Sequence, residues 1–356
     1  MIIEQSKISN LLKILKGFID VKSINTYTQG ILIKGNKMIA TNLNLSCIAQ
    51  FENSCDAEFV LPVKAIEYIL MLPGGEIELT QDDNKLTVKS GRRQSKFSIM
   101  SVEEFPKIEI AETTEKSINV KAEEFTEAVS KVLYACAVDD GKVTPIMTGV
   151  KFEAKDEQLN IIACNGNRLA WNVLNSKGNF DEVLPKSLLQ KLLSLNITGD
   201  INISVNKNKI YIKSGNFTLV SKKFTGTYFA WEKLFVNQPK TKIVIDRNEV
   251  TDCVSRSIIC SDNNKPMIIN IVSGSEEIIV KNLDSTIEFE EVVKSLEAAP
   301  KDLKIGFNPK FFIECIKSYD DTDVDMYYNG ANDAVFFDDG TLKTLILPIR
   351  LKGEEQ

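Results

Sequence analysis

The residues able to do acid–base, nucleophilic or metal chemistry are few, and their types argue against a catalytic centre. The 356 residues include no histidine. That removes imidazole general acid–base catalysis, histidine-activated nucleophiles and the commonest metal ligand. The seven cysteines are scattered and never form a Cys-x-x-Cys pair. They fit buried thiols in a reducing compartment better than a disulfide framework or a zinc site. Carboxylates remain, in Asp139-Asp140, Asp262 and Glu290-Glu291, but paired acids beside turn residues are ordinarily solvated turns. Gly141-Lys142-Val143-Thr144 lacks the upstream glycine of a phosphate-cradling loop, and no Gly-x-Ser-x-Gly elbow occurs. The expectation is a protein that is not an enzyme and holds neither cofactor nor metal.

The cations carry more information than the acids once the elements beneath them are known. Lys and Arg number 43 against 49 Asp and Glu, a net charge of −6, which at first sight disfavours a nucleic-acid partner. Hydrophobic residues at 43% and charged residues at 26% describe an ordinary globular chain. No run approaches the roughly 18 apolar residues of a membrane helix. Met1-Ile2-Ile3-Glu4 shows no basic segment leading into an apolar stretch. No membrane partner and a cytoplasmic location are expected.

The organisation is a threefold repeat. Val60-Leu61-Pro62 leads into an apolar helix to Leu72, then Gly74-Gly75, a strand at Ile77-Glu78-Leu79, and Leu86-Thr87-Val88-Lys89-Ser90-Gly91. Val183-Leu184-Pro185 does the same, through Leu195 and Gly199, to Ile210-Tyr211-Ile212-Lys213-Ser214-Gly215. Pro62 and Pro185 stand 123 residues apart, Gly91 and Gly215 124, and Pro185 and Pro309 124. Each copy opens with an amphipathic helix at 3.6-residue spacing. The stripes are Ile8, Leu11, Leu12, Leu15, Phe18 and Ile19; then Phe125, Ala128, Val129, Val132 and Leu133; then Val250, Cys253, Val254, Ser257 and Ile258. Between the helices, short alternating runs broken by Gly, Asn and Asp predict antiparallel strands. The predicted class is α+β, three tandem domains over 1–117, 118–241 and 242–356, each two helices packed on antiparallel sheets. Copies this large are not solenoid units. Two triplets could close a ring if their ends are complementary.

Local motifs carry a specific resemblance. Leu159-Asn160-Ile161-Ile162-Ala163-Cys164-Asn165-Gly166-Asn167-Arg168-Leu169-Ala170 resembles the strand ending in Ala-Thr-Asp-Gly-His-Arg-Leu-Ala of the bacterial DNA polymerase III beta subunits, the sliding clamps. Pro145-Ile146-Met147-Thr148-Gly149-Val150 resembles the preceding strand of that family's second domain. Ser90-Gly91-Arg92-Arg93 through Phe97, with Glu104-Phe105-Pro106, is similar to the end of its first domain. Ile305-Gly306-Phe307-Asn308-Pro309-Lys310-Phe311 is similar to the start of a third-domain helix, and Leu345-Ile346-Leu347-Pro348-Ile349-Arg350-Leu351 to the terminal Met-Pro-Met-Arg-Leu. The departures mark a divergent member, phage-encoded or a second paralogue. Asn165 and Asn167 replace Asp and His, Cys164 replaces Thr, Phe229 replaces Pro, and Lys352–Gln356 follow the terminal motif.

The resemblance implies a ring-forming homodimer that encircles duplex DNA without reading its sequence. It would tether a replicative DNA polymerase, be loaded by a separate ATP-dependent clamp loader, and receive other proteins through a short clamp-binding motif. The inner wall would need cations that meet phosphate. The candidates are Lys7, Lys13, Lys16, Lys22, Lys64, Lys131, Lys186, Lys191, Arg247, Arg256, Lys310 and Lys317, on or beside the helices, with Arg92 and Arg93 in a hairpin. The acidic excess, as in Asp82-Asp83, Asp139-Asp140, Asp320-Asp321 and Asp338-Asp339, would then sit on outer loops. By motif position the partner-peptide pocket would comprise Met147, Cys164, Gly166, Asn167, Arg168, Leu169, Phe229, Lys233, Leu234, Asn308, Phe311, Leu345, Ile346, Leu347, Pro348, Ile349 and Arg350. An apolar groove there takes aliphatic or aromatic anchors while a few polar groups fix the peptide backbone. A rival reading is a repeat-built protein-interaction scaffold that does not encircle DNA. Such a scaffold has no reason to keep cations on the same helical faces in all three repeats.

Overall fold

The structure is a computed structural model, and it describes residues 1–21, 26–109, 114–261, 265–282 and 287–351. In the first repeat the elements run β1 (Ile2–Glu4), α1 (Gln5–Lys16), β2 (Gly30–Thr41), β3 (Leu45–Pro62), α2 (Val63–Met71), β4 (Glu76–Asp82), β5 (Lys85–Ser90) and β6 (Arg93–Ser98). The second repeat holds β7 (Lys116–Lys121), α3 (Ala122–Val132), β8 (Gly149–Lys155), β9 (Gln158–Cys164), β10 (Arg168–Asn175) and β11 (Asp181–Pro185). It continues with α4 (Lys186–Leu193), β12 (Asp200–Val205), β13 (Lys209–Ser214) and β14 (Phe217–Lys222). The third has β15 (Thr241–Asp246), α5 (Arg247–Ile259), β16 (Met267–Ile271), β17 (Glu277–Asn282) and β18 (Glu290–Lys294). Then come β19 (Leu303–Phe307), α6 (Pro309–Ile316), β20 (Asp323–Tyr328), β21 (Val335–Asp338) and β22 (Leu342–Ile346). The class is α+β with antiparallel pairing, as the alternating runs require.

The helical stripes are buried at Ile8, Leu12 and Leu15 on α1, Phe125, Ala128, Val129 and Val132 on α3, and Val250, Cys253, Val254 and Ser257 on α5, while Leu11 and Ile258 of the predicted stripes are only half-buried. Helix α1 ends earlier than its stripe predicts. Gly17 caps it, and Phe18 and Ile19 are buried beyond the last turn.

By internal contacts the chain divides into two units, and neither follows a repeat. Unit 1 is 1–123 with 187–223; unit 2 is 124–186 with 224–356. Unit 1 contains the sheet β1-β4-β5-β6 and the sheet β2-β3-β14-β13-β12-β7. In the second of these, β3 of the first repeat pairs with β14 of the second, Phe217 opposite Ala49 and Ser221 opposite Leu45. Helices α1 and α2 pack on each other and on this unit's strands. Unit 2 contains the sheet β18-β17-β16-β19 and the eight-stranded sheet β11-β8-β9-β10-β22-β21-β20-β15, joined across repeats at β10 and β22. Helices α5 and α6 pack on each other, and α5 covers β17 and β18.

The repeat also places two glycines with steric purpose. Gly30 faces Pro62 across β2–β3, and Gly149 faces Pro185 across β8–β11. A Cβ on Gly149 would lie 2.7 Å from Val183 Cγ1, 2.8 Å from Leu184 O and 2.9 Å from Phe224 Cε2. The carbonyl belongs to a paired strand and cannot step aside cheaply. Gly149→Ala is expected to destabilise unit 2 by about 1–3 kcal/mol, the usual range for overpacking. Urea unfolding reads this directly, and a midpoint equal to that of the unsubstituted protein would refute it.

Candidate functional site

The second-repeat motif and the chain's last strand meet in one sheet. Strands β9 and β10 pair antiparallel, Leu169 opposite Cys164, and β10 pairs β22 on its other side, Arg168 opposite Ile346 and Leu169 opposite Leu345. The β9–β10 turn is built by Asn165. Its Oδ1 accepts the N–H groups of Asn167 (3.0 Å) and Arg168 (3.1 Å), and Gly166 takes φ +87°. A carboxamide oxygen accepts these bonds as a carboxylate would, so asparagine at this position retains the turn. The Asn167 carbonyl then accepts from Leu347 N–H at 2.8 Å and holds the terminal segment beside the turn.

Over this junction lies an aromatic cluster. Ile146, Cys164, Leu169, Tyr228, Trp231, Phe336 and Leu345 are buried together, with Met147, Trp171, Phe229 and Phe235 packed against them. Ring centroids are 4.8 Å apart for Trp171–Trp231, 5.1 Å for Trp171–Phe235, 5.0 Å for Tyr228–Phe229 and 5.8 Å for Phe235–Phe336. Burial pushes the Cys164 thiol pKa up, against the Gly166 N–H that points at it, so Cys164 sits here as an uncharged apolar group.

Arg168 is the polar centre of the junction. Its side chain is 6% exposed and pairs with Glu314 of α6. Nη2 donates to Tyr134 O at 2.7 Å. The guanidinium also lies 4.3 Å from the Phe311 ring centroid and 4.9 Å from that of Tyr134. A planar cation stacked between two rings and paired at its edge has one available geometry. Arg168 therefore fixes α6 to the motif strand.

Most of the sequence-predicted pocket residues converge here: Met147, Cys164, Leu169, Phe229 and Leu345 in the cluster, Arg168 and Phe311 in the stack, and Gly166 and Asn167 in the turn. Others fall into different roles. Asn308 caps α6, its side chain accepting from Lys310 and Phe311 N–H, and Ile346 is buried in the sheet. Lys233, Leu234, Leu347, Ile349 and Arg350 are exposed and Pro348 half-buried. Sequence reasoning missed Tyr134, Glu314, Trp171, Trp231, Phe235 and Phe336. Glu314 had a signal, standing three residues after Phe311 on one helical face; Tyr134 had none.

The terminal segment is held by Gly306. Ile349 N–H donates to Gly306 O at 2.8 Å, and a Cβ on Gly306 would meet Leu351 Cδ2 at 2.7 Å and Ile349 O at 3.1 Å. Gly306→Ala is expected to displace residues 347–351 and to increase hydrogen exchange at the Ile349 amide. Unchanged protection of that amide would show that the segment tolerates the methyl group.

The cations divide into engaged and unengaged groups. Lys16 pairs with Glu67 (2.8 Å), and Lys131 with Glu127 (2.9 Å) and Asp320 (2.5 Å). Arg247 donates to Tyr319 O (2.6 Å). Arg256 holds Glu291 through Nε and Nη2 (2.8 and 2.7 Å), a bond that keeps the Glu291 carboxyl below its usual pKa. Asp320, exposed in the turn after α6, pairs with Lys131 of α3 and partly neutralises it. Lys13, Lys64, Lys186, Lys191 and Lys317 have no carboxylate partner among the described residues. Lys191 lies over the Phe18 ring at 5.6 Å. Lys7 and Lys310 have partners of their own. Arg92 and Arg93 are exposed, and Arg93 opens β6 after a turn in which Gly91 takes φ +57°. Lys22 and Asp262, and the tail after Leu351, lie outside the described residues.

The remaining carboxylates are structural. Asp139 and Asp140 accept backbone N–H groups of Gly141, Lys142 and Val143 in a turn, and Glu290 pairs with Lys281. No group of three or more Cys, Asp or Glu among the described residues is placed to hold a metal ion.

Comparison with known proteins places this geometry. A family model described as the DNA polymerase III beta subunit, central domain, matches residues 119–229, and one for the C-terminal domain matches 232–350. The beta sliding clamp of Staphylococcus epidermidis is 24% identical over 296 residues, covering 80% of this chain and 78% of that one. The fold matches the solved DNA polymerase sliding clamp of Bacillus subtilis with a TM-score of 0.90 at 17% identity, over 98% of both chains. It also matches the Bartonella birtlesii clamp solved with griselimycin, with a TM-score of 0.91 at 18% identity over 99% of both. With both family models matched over well more than half its length, the chain belongs to the DNA polymerase III beta subunit family.

Proposed function

We propose that this chain is a DNA sliding clamp, closing as a homodimeric ring around duplex DNA and tethering the replicative polymerase for processive synthesis. One observation carries the reading beyond family membership. Lysines without carboxylate partners, Lys13, Lys64, Lys186, Lys191 and Lys317, sit on or beside helices in all three repeats. Such long side chains meet phosphate without base readout, as sliding demands. Lys131, Arg247 and Arg256, already bonded within the protein, contribute less to the wall than the sequence suggests.

The ends suit a head-to-tail dimer. β6 is an open sheet edge carrying exposed Arg93 and Lys96 beside Arg92, and β18 is an open edge carrying Glu290, with Glu288 just before it. Val292 on β18 is 50% exposed and Leu296 beyond it 52%. Unpaired edges of opposite charge invite strand pairing between copies. The junction around Arg168 is the dock for the polymerase, an ATP-dependent clamp loader and other proteins with a clamp-binding motif, all acting in the cytoplasm. The chain's own contribution is topological rather than catalytic.

The test is retention. After loading, the protein stays on nicked circular DNA and is lost when that DNA is linearised. Equal retention on both forms would favour the non-encircling scaffold.

A further inference from the structure

Lys16, Lys131 and Arg256 are wall candidates paired with carboxylates, and Lys131 alone of the three carries two. Glu127, one helical turn earlier on α3, pairs with it at 2.9 Å, and Asp320 reaches it at 2.5 Å from the turn after α6. Lys16 and Arg256 each have a single carboxylate partner, Glu67 and Glu291. Charge therefore cancels at Lys16 and Arg256, while the group around Lys131 keeps one negative charge in excess.

Exposure orders the three side chains. Lys131 is 18% exposed, Glu127 64% and Asp320 73%. The ammonium is tucked beneath its acids, and the group turns carboxylate outward. An approaching phosphate meets negative charge at a position that a sequence count enters as a lysine. Lys317, just past α6 and three residues before Asp320, is the opposite case, exposed and without a carboxylate partner. Stability gives little reason for the second acid, because exposed ion pairs contribute little to folding.

We propose that Glu127 and Asp320 mask Lys131 from DNA, setting an acidic break in the inner wall that weakens the ring's hold on phosphate. This rests on the reading of the chain as a sliding clamp. Each phosphate that a cation neutralises tightens the hold on DNA. Withholding one cation lightens it and favours movement along the duplex.

The test measures equilibrium binding of the full-length protein to a short labelled DNA duplex by fluorescence anisotropy, from roughly 50 to 200 mM salt. The duplex has free ends, so a ring threads onto it without a loader. Glu127→Gln with Asp320→Asn is expected to steepen the slope of log K against log salt by about 0.9 for each Lys131 released, and to tighten binding several-fold at the lower salt. Lys131→Gln alone should leave the slope unchanged, whereas Lys317→Gln should reduce it. Adding Lys131→Gln to the double variant should return the slope to its starting value. Asp321→Asn, which removes an exposed acid beside the pair without freeing Lys131, should leave the slope as it was. An unchanged slope in the double variant overturns the mask and reduces the pairs to a staple between α3 and the turn after α6. A gain that survives Lys131→Gln, or a slope lowered by Lys131→Gln alone, overturns it too. Those outcomes leave the effect of Lys317→Gln in place, and the clamp reading with it. Absence of salt-dependent binding in the unsubstituted protein overturns both.

Discussion

Arg93→Glu combined with Lys96→Glu is expected to leave the protein monomeric if it forms the proposed head-to-tail homodimer. The two side chains stand exposed on the open edge β6, and the edge that would receive it, β18, carries Glu290 with Glu288 just upstream. Reversal sets acid against acid at both contacts of a head-to-tail dimer. Like charges across an interface cost several kcal/mol, so the dimer Kd should rise on the order of a hundredfold or more. The mirror variant, Glu288→Lys with Glu290→Lys, sets base against base and should dissociate equally. Mixed one to one, the two variants restore an opposite-charge pair at each contact and should form a heterodimer that neither forms alone. Sedimentation velocity separates the cases. Self-association of either variant at the original strength, or no heterodimer on mixing, would remove these edges from the interface. Exposed Val292 and Leu296, with Ile259 80% exposed at the end of the helix packed on β18, supply the apolar area that an interface core requires.

Arg168→Ala carries the other large effect, and it falls on unit 2. The guanidinium leaves two stacked rings, the Tyr134 carbonyl and the Glu314 carboxylate at once. Glu314 is half exposed and rehydrates when its partner goes. The loss is therefore mainly stacking, packing and two backbone hydrogen bonds, to Tyr134 O and, longer, to Phe311 O, about 2–4 kcal/mol. Glu314→Gln keeps the stack and should cost less, about 1–2 kcal/mol. Both tryptophans, Trp171 and Trp231, lie in unit 2, so fluorescence follows this unit's unfolding without a contribution from the other. Arg168→Ala should also weaken partner-peptide binding, since α6 loses its tie to the motif strand. A midpoint within error of the unsubstituted protein would show that the stack contributes nothing net.

How much of this was legible in the sequence depends on the range of the interaction. The amphipathic stripes of α1, α3 and α5 and the Asn165-Gly166 turn are local, set by spacing within a dozen residues, and they appear where expected. The convergence of Leu169 with Leu345 was reachable only through family resemblance, because nothing in a strand's sequence names its partner in a sheet. The sandwich of Arg168 between Tyr134 and Phe311 joins three distant segments, and no periodicity reports such a contact. One ion pair was out of the sequence's reach for the same reason. Asp320 reads as a solvated turn residue, yet the fold carries it to Lys131.

The joined sheets set a limit on dissection of this chain. The repeat is a stretch of sequence, but here cohesion is exchanged between the copies: the second repeat lends β12 to β14 to one unit and β8 to β11 to the other. A fragment cut near residue 118 or 242 would strip β22 from β10, or β14 from β3, and leave a long apolar strand edge exposed to other chains. Single-repeat fragments should therefore aggregate rather than fold, and the smallest autonomous piece should be larger than one repeat.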